Sequence, residues 1–246
     1  RAATAPITIE IGMLMIEHRI IKNTEFTMRS PTTSLIGLRL VNDNPGSPWR
    51  NKRFIQEVNW VIEFASPLYV TAVNGTLPQV SWIAAPEAFS EHPNWPANYG
   101  AWYIDQVLQI LTSNPEVWSK TAVFITYDEN DGFFDHLVPP FASSGSNGLS
   151  TVDTTGEYFP GNAKYGAGSY GLGVRVPMLV VSPWSKGGFV CSETFDHTSI
   201  IRFIEQRFKR THNVKSPNIS KWRRAVCGDL TSAFNFATPN EVVPAL

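Results

Sequence analysis

Charge is scarce in this chain, and what there is cancels. Of 246 residues only 17% are Asp, Glu, Lys or Arg, and they sum to a formal net charge of −1. With no strongly basic block, the composition argues against nucleic acid as a partner. Long apolar runs are missing as well. A helix needs about 20 consecutive apolar residues to span a bilayer, and the stretch IGMLMIEHRIIK is short and interrupted by Glu17 and His18, so no transmembrane segment is expected. No signal-peptide pattern opens the chain. It begins at Arg1 without an initiator Met, from which a processed or truncated form is expected. Cysteine is down to Cys191 and Cys227, too few for a disulfide framework, and whether they pair stays open. Also lacking are a His-Glu-x-x-His zinc motif, a Cys-x-x-Cys pair, a P-loop and a dinucleotide glycine fingerprint.

What is present is apolar and loop-rich. Hydrophobic side chains make up 43% of the chain, enough for one large α/β domain or one and a half ordinary ones. Eighteen prolines and eight tryptophans suggest long structured connections, a composition common in extracytoplasmic hydrolases. The first 70 residues join no obvious motif: ITIEIGMLMIEHRIIK alternates in part like a strand, and Phe54, Ile55, Val58 and Ile62 recur at helical spacing. From Gly75 the organisation sharpens. LPQVSWIAAP reads as a buried strand, EAFSEHPNWPAN as a polar loop, and 99–112 as a helix with Ile104, Val107, Leu108 and Leu111 on one face. TAVFITY, 121–127, is the next strand, completing a β-α-β unit. The Ser/Thr/Gly-rich connection at 142–168 is long enough to predict a lid or substrate-facing loop. GVRVPMLVVSPW is a third strand, apolar as one covered on both faces should be. FDHTSIIRFIEQRF is a helix capped by Asp196 or Thr198, with Ile200, Ile201, Ile204 and Phe208 as its stripe and Glu205 facing Lys209. The tail reads as a short structured extension.

Ligands of open α/β sheets bind in the loops leaving the C-terminal ends of parallel strands. Three loops are expected there. The first holds Glu91 and His92, the second Asp128, Glu129, Asp131, Asp135 and His136, and the third runs to His197. Acidic runs are usually solvated surface. TYDENDGFFDH, though, succeeds an apolar strand abruptly, and hard divalent cations favour clustered carboxylate oxygens. An EF-hand is excluded, because with Gly132 as its turning glycine Tyr127 and Val138 would fall on ligand positions. Asp131 and Asp135 have turn formation as an alternative role. His18 and His212 read as surface or packing residues. AGSYG, 167–171, approximates a serine nucleophile elbow around Ser169, but the strand-turn-helix context that this chemistry needs is lacking. Trp95 and Tyr99 suit either cation–π contact with a quaternary ammonium or packing beneath the loop.

The blocks GTLPQVSWIAAPEAFSEHPNWPANYGAWYIDQVL, NPEVWSKTAVFITYDENDGFFDHLVPP, YGLGVRVPMLVVSPWSKGGFVCSETFDHTSIIRFIEQRF and PNISKWRRAVCGDLTSAF resemble the bacterial phosphoesterase family of phospholipases C and related acid phosphatases, most nearly its mycobacterial-type phospholipases C. The resemblance implies an alkaline-phosphatase-like three-layer α/β/α sandwich, here partial. It also implies hydrolysis of phosphatidylcholine-type phosphodiesters to diacylglycerol and phosphocholine. It assigns a divalent metal ion to Asp128 and Glu129 and catalysis to His92 and, less directly, to His136 and His197. Substrate binding is expected, apart from the resemblance, at Glu91 and Trp95. The partner would be phospholipid at a membrane surface, and the location extracytoplasmic, secreted or at the cell envelope. Family members carry an earlier half with an ENRSFDH-like motif and a Thr or Ser nucleophile. Residues 1–70 show no family resemblance, and 71–246 match the C-terminal part of the catalytic domain. A truncated enzyme is therefore expected, with self-association through an exposed sheet edge. Two other readings stay open: an inert remnant acting by binding, and a serine lipase or esterase.

Overall fold

The computed structural model describes residues 10–16, 68–143 and 149–242. Among the described residues four strands form the main sheet: β1 Glu10–Ile16, β2 Val80–Ile83, β3 Thr121–Tyr127 and β6 Met178–Val181, in the order β2-β1-β3-β6. A second, two-stranded sheet pairs β4 Tyr158–Phe159 with β5 Gly168–Ser169. Helices among the described residues include α1 Ala97–Thr112, α2 Pro115–Trp118, α3 His197–Phe208 and α4 Lys221–Val226. This is a mixed α/β architecture built on small sheets. The helical spacing at 54–62 lies outside the described residues.

The early segment that joined no motif supplies the inner strand. β1 runs parallel to both neighbours, with Leu14 level with Ile83 on β2 and with Ile125 on β3. The β2-α1-β3 unit therefore leaves a slot that β1 fills. Pro96 stands at the start of α1, and Asn114 divides α1 from α2. The Asn114 side chain accepts from Glu116 N at 3.0 Å and starts α2, with Pro115 in the first turn.

β3 is the axis of the core. Its side chains alternate between two clusters, as the period of a strand requires. Val123 and Ile125 pack with Tyr103, Val107 and Leu111 of α1, whereas Ala122 and Phe124 pack with Ile200 and Phe203 of α3. α1 and α3 thus cover opposite faces of this strand.

The third strand corrects the expectation that all strand ends share one edge. β6 is antiparallel to β3, with Met178 level with Thr126 and Val181 level with Val123. Ser182 consequently emerges at the start of β3, where its Oγ donates to Thr121 O at 2.7 Å. A parallel return needs a long crossover, usually helical. The described part of the 128–177 connection carries only the β4–β5 pair, and its chain re-enters from the near edge. The α3 stripe differs as well: Phe203 is buried and Ile201 exposed. Glu205 pairs with Arg224 at 2.7 Å rather than facing Lys209.

Candidate active site

Residue by residue, the site grows from the end of β3. Six of its residues are buried and the seventh, Tyr127, is half-buried at the rim. Asp128 and Glu129 come next, and the Asp128 carboxylate accepts from Glu129 N at 3.0 Å. The chain then turns sharply. Asn130 Nδ2 donates to Phe133 O at 2.7 Å, while Asp131 and Gly132 take φ of 45° and 84°. Gly132 is the residue that tolerates this left-handed backbone, so the turn expected of this run is present.

Tyr127 links the flanking loops. Its hydroxyl donates to Glu91 Oε2 at 2.5 Å, and its carbonyl accepts from His197 Nε2 at 2.7 Å. Burial, and then the hydrogen bond and charge of Glu91, push the Tyr127 hydroxyl far above its ordinary pKa, so it stays a neutral donor. Glu91 reaches it from a left-handed backbone with φ of 62°, a conformation that costs about 1–3 kcal/mol in a non-glycine residue. Gly100 makes the room, since a Cβ there would lie 2.2 Å from Glu91 Cγ.

His92 joins Glu91 in this corner. Its Nδ1 is hydrogen-bonded to Asn94 Oδ1, and its Nε2 lies 3.9 Å from Asp131 Oδ1. An amide oxygen only accepts, so a neutral His92 carries its proton on Nδ1 and presents Nε2 as the base. His197 is the mirror case: a carbonyl holds its Nε2 proton and leaves Nδ1 as the basic atom.

The structure thus brings Glu91, His92, Asp128, Glu129, Asp131 and His197 to one strand end. His136 stands apart, its side chain 91% exposed and its Nδ1 3.0 Å from Asp135 Oδ1. Asp135 in turn is ion-paired with Arg175, whose hydrogen bond is the main reason its carboxyl lies below the usual range. Trp95 packs against the α1 cluster with Tyr99, the packing role of the two that the sequence allowed. Ser169 sits in β5, its Oγ 3.3 Å from Glu157 O, and no helix comes directly after it. The described part of the long connection is a pinned hairpin, with Glu157 buried against Arg223. Both cysteines are free thiols, and burial pushes that of Cys227 up to about 12. Sequence reasoning missed Tyr127 and Arg223. A tyrosine at the half-buried end of a strand was the available signal for the first. None existed for the second, which meets its partners across long sequence separations.

Among the described residues no three His, Cys, Asp or Glu side chains gather closely enough to hold a metal ion. Asp128 and Glu129 remain two adjacent hard-oxygen donors, chemistry that suits a hard divalent cation. The described residues supply no third side chain of this kind to the pair.

A model of the phosphoesterase family matches residues 32–210. A non-hemolytic phospholipase C of Burkholderia pseudomallei is 65% identical over 207 residues, covering 83% of this chain and 30% of that protein. A non-hemolytic phospholipase C of Pseudomonas aeruginosa is 58% identical over 176 residues, covering 67% of this chain and 24% of that protein. Phospholipase C B of Mycobacterium tuberculosis is 44% identical over 203 residues, covering 81% of this chain and 37% of that protein. The chain therefore spans about a third or less of the length of these relatives. Identity is higher to the Burkholderia protein than to the mycobacterial one.

Proposed function

This chain belongs to the phosphoesterase family, and we propose that it carries one side of a phospholipase C active site that cleaves phosphatidylcholine-type phosphodiesters to diacylglycerol and phosphocholine. The observation that carries this reading is the meeting of Glu91 and His197 on Tyr127, which joins the His92 loop and the α3 start to the strand end bearing Asp128 and Glu129. The names of the relatives, all phospholipases C, support the substrate class.

Asp128 and Glu129 would hold a divalent cation, which when bound supplies positive charge against the phosphoryl oxygens. The rest of the chemistry belongs to side chains. His92 Nε2 is the proton-transferring atom at the phosphoryl group, with Asn94 fixing its tautomer and Asp131 facing it. His197 Nδ1 is a second basic atom, on the ring that Tyr127 O holds. His136, exposed and paired with Asp135 away from these groups, is given no step. Glu91 acts through Tyr127, holding the His92 loop in place, with Trp95 beneath that loop.

Lipid as the substrate suits the surroundings. The loop after the acids exposes Phe133, Phe134, Val138 and Phe141, apolar side chains in the same segment as charged ones, and a phospholipid likewise joins apolar chains to a charged headgroup. We place the protein's action outside the cytoplasm, secreted or at the cell envelope, on phospholipid in a membrane surface. No helix among the described residues is long and apolar enough to cross one. For the fold, we propose a partial alkaline-phosphatase-like α/β/α sandwich, supported by the coverage of β3 by α1 and α3 on opposite faces.

Product analysis tests the bond cleaved. Phosphatidylcholine vesicles should yield phosphocholine and diacylglycerol, and His92→Ala should reduce the rate by about 10²- to 10⁴-fold, the usual contribution of general acid–base catalysis. Release of free choline, or an unchanged rate in His92→Ala, would reject the assignment.

A further inference from the structure

We propose that Arg223 is a positioning residue for this site, fixing His197 at the end of β3 through the carboxylate of Asp196. Arg223 lies in α4, its side chain 21% exposed. Its Nε donates to Glu157 Oε1 at 2.8 Å and its Nη2 to Glu157 Oε2 at 3.1 Å. Nη1 donates to Asp196 Oδ2 at 2.7 Å, and Nη2 also reaches Gly171 O at 2.9 Å. One planar guanidinium therefore ties the β4–β5 hairpin, the segment after it and the start of α3 to α4.

Each partner is itself held. Ser220 Oγ donates to Glu157 Oε1 at 2.6 Å and accepts from Arg223 N at 3.0 Å. Asp196 Oδ1 accepts from Thr198 Oγ1 at 2.6 Å, and Ser199 Oγ accepts from Asp196 N at 3.1 Å. The Asp196 carboxylate is thus gripped at both oxygens, as is that of Glu157. Beyond Gly171, Leu172 N donates to Pro140 O at 3.0 Å, which links the clamp to the far end of the acidic loop.

The route to the site is one residue long. Asp196 is the cap of α3 and His197 its first residue, with Nε2 2.7 Å from Tyr127 O, the carbonyl just before Asp128. Where Arg223 holds Asp196, His197 is held too. Lysine cannot replace the clamp, because an ammonium lacks the planar fork that serves both oxygens of Glu157 while reaching Asp196. Two buried carboxylates, 4% and 6% exposed, also face this one cation, so the charge cannot be dispensed with.

The functional half of this proposal rests on the phospholipase reading, whereas its geometric half does not. The test tracks the His197 ring signals by ¹⁵N NMR in wild type and Arg223→Lys, after circular dichroism shows both folded. Hydrolysis of a chromogenic phosphocholine ester is measured alongside. The expected result is displaced His197 resonances, unmoved His212 resonances, and kcat lowered by about 10- to 100-fold, the range for groups that hold a site residue in place, with KM little changed. Unmoved His197 signals in folded Arg223→Lys would overturn the proposal, since a purely stabilising clamp would leave them alone. Glu157→Gln provides the second arm, and the only one needed if Arg223→Lys does not fold. It keeps Arg223 on Asp196, so the His197 signals should hold, and their displacement would place the control in the hairpin and overturn the route through Asp196. A wild type without hydrolysis would sink the phospholipase reading and leave the ring signals to decide this one.

Discussion

Tyr127 is the smallest unit at which this site can be taken apart. One hydroxyl and one carbonyl hold two loops, and the side chain needs no ionisation to do so, because burial and Glu91 keep it protonated. Tyr127→Phe should therefore leave the carbonyl bond to His197 and delete only the bond to Glu91. Leaving a partly buried carboxylate without its donor costs about 1–3 kcal/mol, and Glu91 would also lose what holds its left-handed backbone. The expected outcome is that loss in denaturant unfolding together with a lower rate, and the rate should fall as it does in Gly100→Ala, whose new Cβ displaces the same Glu91 side chain. Equal stability of Tyr127→Phe and wild type would remove Tyr127 from the account. At this scale the sequence was legible where chemistry is local. The acids, their turn and His92 could all be read from TYDENDGFFDH and EHP. The Tyr127–Glu91 bond spans 36 residues and Arg223–Glu157 spans 66, and nothing in a linear pattern marks either.

Among the elements, β3 was readable to the residue because a fully buried strand leaves a continuous apolar run with a sharp edge. α3 was readable from its Asp196 cap, although packing chose Phe203 over Ile201 for the interior. β1 was partly visible as alternation, but its inner place depends on pairing with strands far along the chain. The direction of β6 was not legible for a related reason: strand direction is decided by the connection, and an apolar run carries no sign. α3 and α4 are also joined by Arg224, whose two Nη groups reach both oxygens of Glu205 at 2.7 and 2.8 Å. The Arg224 hydrogen bonds hold Glu205 below its ordinary value of 4.5. A carboxyl depressed in the folded state contributes its stability above the unfolded value and loses it as pH falls through the folded one. Melting temperature should accordingly drop as pH is taken from neutral to below 4.5, and Glu205→Gln should be less stable at neutral pH with a shallower acid decline. Parallel acid limbs for the two proteins would show that the pair contributes nothing.

For the molecule as a whole, the acids at the end of β3 have two kinds of surroundings. Beneath them lies a core packed on both faces of the strand, with α1 on one side and α3 on the other. After them come the turn at Asp131 and Gly132 and the exposed side chains of Phe133, Phe134 and Phe141. On the proposed function, Asp128 and Glu129 would serve phosphodiester cleavage through a bound cation. Hydrolysis of a chromogenic phosphocholine ester by the purified, folded chain, with and without chelator and beside Asp128→Ala, tests it most directly. Turnover should be removed by the chelator, restored by an added divalent cation and absent from Asp128→Ala. Turnover indifferent to the chelator, or a folded wild type no faster than Asp128→Ala, would contradict it.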